Sequence, residues 1–154
     1  MTEPELYYFH KPTGLRPVSH PVEFLSVPEF LADEPACDTF WELASSQFRT
    51  RSKFLALWPA VRFVALSRDE HGLADAFLLV NGTVNWQIDS VVVRPARRGN
   101  RLAAALLSTA LNQAYLRGAS FVMLTSLADL RPLCESCGFT LVGERHADDT
   151  ALPR

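Results

Sequence analysis

The sequence predicts one α/β domain with a mixed central sheet. The sheet is antiparallel in its first half, has a parallel crossover in its second, and is flanked by helices. Three observations carry this reading. The chain has 154 residues, the size of a single domain. Its middle holds β-rich runs separated by turn residues. After Pro95 the apolar spacing becomes helical, and two more short β-type runs follow.

In chain order, Pro4, Pro12, Pro17, Pro21, Pro28 and Pro35 crowd the first third. That stretch should be extended or irregular, with short elements between the breaks. Val22–Val27 reads as a short strand. Asp38–Ala44 reads as a helix with Asp38 as its N-cap. Val61–Leu66 is a strand followed by the turn-like Asp69-Glu70-His71-Gly72. Ala74–Val80 is a second strand, Asn81-Gly82 fits a tight hairpin turn, and Thr83–Val93 is the return strand. Leu102, Ala103, Leu106, Leu107, Ala110, Leu111 and Ala114 recur at helical spacing. Arg117 falls in the last turn of that helix, and Gly118 is a suitable stop. Phe121–Leu124 is a buried strand, Asp129–Cys137 a short helix ending at Gly138, and Phe139–Gly143 a final strand.

Composition excludes several classes. Apolar residues make up 48% and charged residues 21%, so disorder is not the main state. Fifteen basic against 17 acidic residues give a net charge of −2. That is not the basic excess of a nucleic-acid binder, although Arg94, Arg97, Arg98 and Arg101 cluster locally. No apolar run approaches the ~20 residues of a membrane helix. The first residues show no secretory pattern, and three cysteines argue against a disulfide framework. A soluble cytoplasmic protein is the expectation, without nucleic-acid or membrane partners.

The densest chemical signal is Trp86–Ala103, WQIDSVVVRPARRGNRLA. A strand runs into a basic, Gly-containing turn and then into a helix. Helix N-termini present unpaired N–H groups and a positive dipole end, so such a turn can hold phosphate. Gly99 permits backbone conformations that other residues resist. Equally, many α/β proteins have such turns, and their arginines are simply solvated. Neither GxxxxGK[ST] nor GxGxxG is present.

Val93-Arg94-Pro95, then Arg98-Gly99-Asn100-Arg101-Leu102-Ala103, then Leu106-Leu107 follow one another without a gap. This resembles the acyl-CoA signature of the GNAT superfamily of N-acetyltransferases: Val-x-Pro, Gln/Arg-x-x-Gly-x-Gly/Ala, and a Leu pair one turn on. Leu133-Cys134-Glu135-Ser136-Cys137-Gly138-Phe139 is similar to the family's Leu-Tyr-Glu-x-x-Gly-Phe. The resemblance spans about Val61 to Glu144. It implies the GNAT fold over residues 1–154 as a single domain, with 1–60 as an irregular acceptor-side region and 61–145 as the CoA-binding half. It further implies that the fourth strand splays from the fifth, with the pantetheine arm of acetyl-CoA between them. Val91, Val92 and Val93 would then offer backbone groups to the pantetheine. Arg98, Gly99, Asn100, Arg101, Leu102 and Ala103 would form the pyrophosphate turn. Leu124 to Ser126, with Leu133, would flank the thioester.

The sequence departs from the family pattern at several points. Arg101 replaces the middle glycine of the phosphate turn. Its side chain would either crowd the pyrophosphate or donate to it. Donation is favoured, since a helix start is expected to have right-handed φ/ψ. Cys134 replaces the Tyr that often serves as general acid. A thiol with a pKa near ~8.5 could protonate a leaving thiolate, or could be a small core residue. Leu127, beside Ser126, stands where an Asn is often seen. A seventh strand would normally be completed a few residues after Leu152. Its absence would leave the acceptor side open or closed by a second subunit, making a homodimer one expected arrangement.

Acyl transfer needs an amine held against the thioester and a base to take its proton. Asp89 is the first candidate base. By period-two alternation it should share a strand face with Gln87, Val91 and Val93. Gln87 would orient substrate or water. The plain alternative for Asp89 is a solvated or structural carboxylate.

Other features are weaker. Cys134 and Cys137 form a CxxC without a second pair, a redox or half-zinc pattern that is more simply two residues on one helix face. No metal site is expected. His10, His20, His71 and His146 lack metal-ligand spacing. His71 should be exposed in its turn, while His146 could reach an acceptor. Trp41, Trp58 and Trp86 read first as core. Phe40, Trp41, Phe48 and Phe54 are candidates to wall an acceptor pocket. The leading expectation is an enzyme moving acetyl from acetyl-CoA to a primary amine of a small molecule or protein. The alternative is a catalytically degenerate GNAT-fold module that binds acyl-CoA or a partner.

Overall fold

The computed structural model describes residues 5–44, 58–99, 101–127 and 130–145. Seven strands form one sheet: β1 (Glu5–His10), β2 (Glu23–Ser26), β3 (Val61–Arg68), β4 (Ala74–Gly82), β5 (Trp86–Val93), β6 (Val122–Leu127) and β7 (Thr140–Arg145). Their spatial order is β2-β3-β4-β5-β6-β1-β7. β2 to β5 pair antiparallel, β5 and β6 pair parallel, and β1 runs antiparallel to both β6 and β7. The described helices are α1 (Val27–Leu31), α2 (Glu34–Ala44), α3 (Leu102–Leu116) and α4 (Arg131–Ser136).

The sheet separates two apolar layers. On one face α3 supplies Leu102, Leu106, Leu107, Ala110, Leu111 and Ala114 to a core with Leu78, Val80, Trp86 and Ile88. On the other, α1 and α2 supply Phe30, Phe40 and Leu43 to a core with Val64, Leu66, Phe77 and Leu79. β3 and β4 are buried on both faces, which explains their continuous apolar runs. The helical spacing of α3 and its stop before Gly118 are as expected.

Four differences from the sequence reading have local causes. First, α2 begins at Glu34, so Asp38 lies inside it. Asp33 does the capping: its Oδ1 accepts the Ala36 N–H at 3.2 Å. Pro35 sits at the second helical position, where it needs no N–H donor. Second, Asn81 and Gly82 belong to β4, and the turn falls at residues 83–85. Gly82 has φ +99°, and a Cβ there would lie 2.0 Å from the Asn85 carbonyl oxygen. Third, Phe40 is 1% exposed among Phe30 and Phe77, so it is core and no pocket wall. Phe48, Phe54, His146 and the Trp58 side chain lie outside the described residues, as does the expected helix start at Asp129.

The fourth difference is topological. The seventh strand comes from the proline-rich N-terminal stretch: β1 fills the slot between β6 and β7. The described residues thus form a seven-stranded sheet without a strand after β7. The return segment is tied down: the Arg16 N–H donates to Asn112 Oδ1 at 2.7 Å, and Asn112 Nδ2 donates to the Arg16 carbonyl at 2.9 Å. His10 Nδ1 lies 2.9 Å from the Gly138 carbonyl, joining β1 to the end of α4.

Candidate functional site

The site begins where β5 leaves β6. The two strands pair in register only at Trp86↔Val122, Gln87↔Met123 and Ile88↔Leu124. Both continue beyond, β5 to Val93 and β6 to Leu127. The break coincides with a bulge. Against β4, Val80 pairs with Ile88 but Leu79 pairs with Ser90, leaving Asp89 as the extra residue. A bulge bends its strand and re-aims side chains. It also reverses the face alternation. Trp86 and Ile88 point into the α3-side core, and after the bulge it is Val91 and Val93 that do so, while Val92 joins the α2-side core.

This corrects the strand-face expectation. Gln87 pairs with Asn81, on the α2 side of the sheet, so Gln87 and Asp89 do not share the face of Val91 and Val93. The bulge still brings Asp89 to the opening, alongside Ser90, Val91, Leu124, Thr125 and Cys134, around a cavity of about 510 Å³. Gln87 lines neither this cavity nor the one described next. Asp89 is half-buried, and Asn81 Nδ2 donates to its Oδ2 at 2.6 Å. Burial pushes the Asp89 carboxyl above its ordinary value, and the Asn81 hydrogen bond opposes this in part.

A second cavity of about 630 Å³ opens at the start of α3. It is lined by Arg97, Arg98, Gly99, Arg101, Leu102 and Ala103, among others. Both cavities share Val93, Arg98, Ala103 and Leu133, so they form one groove from the helix N-terminus to Asp89. Gly99 has φ +88°, in the region that favours glycine. Arg101 has φ 60° and ψ 21°, left-handed, which overturns the right-handed expectation; its side chain makes no capping hydrogen bond. Arg98 Nε donates to the Val93 carbonyl at 3.3 Å. Asn100 and the Ser126 side chain lie outside the described residues; the backbone of Ser126 pairs with Leu6 in β1.

Cys134 borders the groove from α4 and is 1% exposed. Cys137 is buried in the same core, and burial pushes its thiol up. Neither cysteine is in a disulfide. Among the described residues, no three His, Cys, Asp or Glu side chains gather as a metal site, and no helix is long and apolar enough to cross a membrane.

Two side chains went unnoticed in the sequence. One is Asn81, the donor to Asp89. The other is Asp75, 1% exposed at the start of β4, whose carboxylate takes Arg97 Nη1 at 3.0 and 2.9 Å. The available signal was a lone Asp in the apolar run Ala74–Val80.

The family model described as "Acetyltransferase (GNAT) family" matches residues 28–139. The chain belongs to the GNAT acetyltransferase family. Solved structures agree on the GNAT fold. A GCN5-related N-acetyltransferase from Sphaerobacter thermophilus superposes with a TM-score of 0.67 at 18% identity, over 94% of this chain and 50% of that one. A GNAT-family protein from Novosphingobium aromaticivorans gives 0.65 at 19% identity, over 92% and 61%. Glucosamine-6-phosphate N-acetyltransferase from Arabidopsis thaliana gives 0.61 at 14% identity, over 83% and 97%. This GNAT chain thus spans 50% and 61% of the length of the first two. No curated protein matches it significantly. GNAT proteins are acyltransferases as a family, and the groove lies where β5 and β6 part, the strands counted as fourth and fifth before β1 added one to the number.

Proposed function

We propose that this GNAT protein transfers an acetyl group from acetyl-CoA to a primary amine. The observation that carries the reading is the single groove that joins the α3 N-terminal turn to Asp89. The turn offers the positive end of a fifteen-residue helix with Arg98 and Arg101 beside it, which suits a pyrophosphate. The part between β5 and β6 is walled by the apolar Val91, Val93, Leu124 and Leu133, which suits a pantetheine arm.

Asp89 is then the base. It removes the proton from the acceptor ammonium or from the attacking amine, directly or through water. The amine nitrogen forms the new bond to the thioester carbonyl carbon, and the carbon–sulfur bond breaks with its electron pair leaving on sulfur. The Cys134 thiol stands on the α4 side of the groove as the donor that protonates the departing thiolate. A half-buried carboxylate suits its task because burial raises its pKa and makes it a stronger base than a solvated Asp.

Calorimetric titration with acetyl-CoA, with CoA as comparison, tests the reading. Micromolar binding that weakens in Arg98→Ala supports it. Equal affinity in Arg98→Ala would show that the phosphate turn is misplaced. Binding followed by amine acetylation that is lost in Asp89→Asn supports catalysis. Tight binding without turnover on any amine would favour the degenerate module instead.

A further inference from the structure

We propose that the buried Asp75–Arg97 ion pair is a positioning device for the phosphate turn, and that Arg97 itself does not bind the phosphates. The proposal rests on the acetyl-CoA reading above. Asp75 is the extra residue of a bulge: Ser67 pairs with Ala76 and Arg68 with Ala74, so Asp75 has no partner across the β3–β4 ladder. Its backbone and its side chain both serve the turn. The Asp75 carbonyl accepts the Arg94 N–H at 2.9 Å, fixing the point where β5 ends. Its carboxylate holds Arg97 at the end of the 3₁₀ turn Pro95–Arg97. The chain between these two anchors closes on itself, with the Arg97 N–H on the Arg94 carbonyl at 2.8 Å. Gly99 and the start of α3 follow within a few residues, so whatever fixes Arg97 fixes the entry to the anion site.

Charge supports the same assignment. Arg97 lines the outer cavity, but its cation is neutralised by a carboxylate only 1% exposed. Among the described residues Arg98 and Arg101 have no carboxylate ion-pair partner and remain to meet a polyanion. A buried charge pair needs both members, because either alone is left uncompensated. The two residues should therefore act as one unit.

Two roles for Arg97 predict opposite signs. If Arg97 bound phosphate, Asp75→Asn would release it and tighten acetyl-CoA binding, while Arg97→Met would weaken it. If the pair is a strut, both substitutions loosen the turn and weaken binding by about tenfold or more. One Nη1 makes both contacts, so Arg97→Lys should largely rescue the Arg97→Met loss. The measurements are the dissociation constant for acetyl-CoA and the separate kinetic constants. KM for acetyl-CoA should rise, with kcat and the acceptor KM nearly unchanged, a split that general destabilisation would not produce. Folded Asp75→Asn that binds as tightly as wild type, or tighter, overturns the strut. If Asp75→Asn does not fold, the Arg97 pair decides: Met and Lys variants both binding like wild type would overturn it. Failure of the wild type to bind acetyl-CoA would instead sink the acetyltransferase reading.

Discussion

Arg101 is the described non-glycine residue with positive φ, at 60°, in the position where the family pattern has glycine. A left-handed conformation costs an L-residue roughly 1–2 kcal/mol, because Cβ approaches the following carbonyl. Glycine escapes that clash but loses about 0.5–1 kcal/mol more backbone entropy on folding. The difference leaves Arg101→Gly more stable than Arg101→Ala by about 0.75 kcal/mol at mid-range, within bounds of about 0 and 1.5 kcal/mol. For a chain of 154 residues the mid-range difference is a gap of about 1.5–3 °C in Tm. The alanine variant is the right reference: the exposed Arg101 side chain makes no capping hydrogen bond, so truncation alone should change little. Thermal and urea unfolding of the ligand-free variants read the difference. A Gly variant less stable than the Ala variant would refute the strain. Acetyl-CoA affinity adds a second axis. If the guanidinium donates to the pyrophosphate, both variants lose affinity although one gains stability. Tighter binding by Arg101→Gly would show that the side chain crowds the ligand.

Three further outcomes are expected. Asp89→Asn should lower kcat by about 10²-fold or more while leaving acetyl-CoA affinity within twofold. The base must be ionised, so the rate rises with pH through the Asp89 pKa, which burial places above the ordinary carboxylate value. Asn81→Ala removes the donor that favours the anion, so the acid limb should move further up in pH; a downward move would contradict the assigned environment. At the α2 start, the Arg68 guanidinium and the Ala36 N–H hold the Asp33 carboxyl below its usual range. Its contribution is present above the unfolded pKa of about 4 and is lost as pH falls through the lower folded value. Asp33→Ala should cost about 1 kcal/mol at pH 7 by urea unfolding, with the gap closing in acid; a gap that persists at low pH would refute the assignment.

What the sequence made legible was local. The helical spacing of α3 and the apolar runs of β3 and β4 follow from short-range patterning, and the structure keeps them within a few residues. The placement of β1 was not legible. Glu5–His10 alternates well enough for a strand, but its partners are Leu127–Val122 and Arg145–Thr140, more than a hundred residues away. No local preference encodes that pairing, and the prolines after it read as breaks. The start of α2 was missed for another reason. Pro35 is a breaker in the body of a helix but is tolerated in its first turn, so the true cap lay two residues before the proline instead of three after it.

The site failed to be legible in a more specific way. Reading strand faces from sequence assumes that alternation is unbroken, and a bulge violates this by one residue. Both carboxylates argued to matter, Asp75 and Asp89, are the extra residues of such bulges. Each is re-aimed by the irregularity that hides it. At Asp89 the same bulge also ends the β5–β6 ladder, so the opening and the base beside it share one cause. A regular β5 would keep Asp89 in alternation and prolong its pairing with β6. The acyl-transfer groove and the general base are therefore expected to stand or fall together. Deleting one residue at position 89 should restore the alternation and lose acetyl-CoA binding, whereas Asp89→Asn keeps the bulge and loses only turnover.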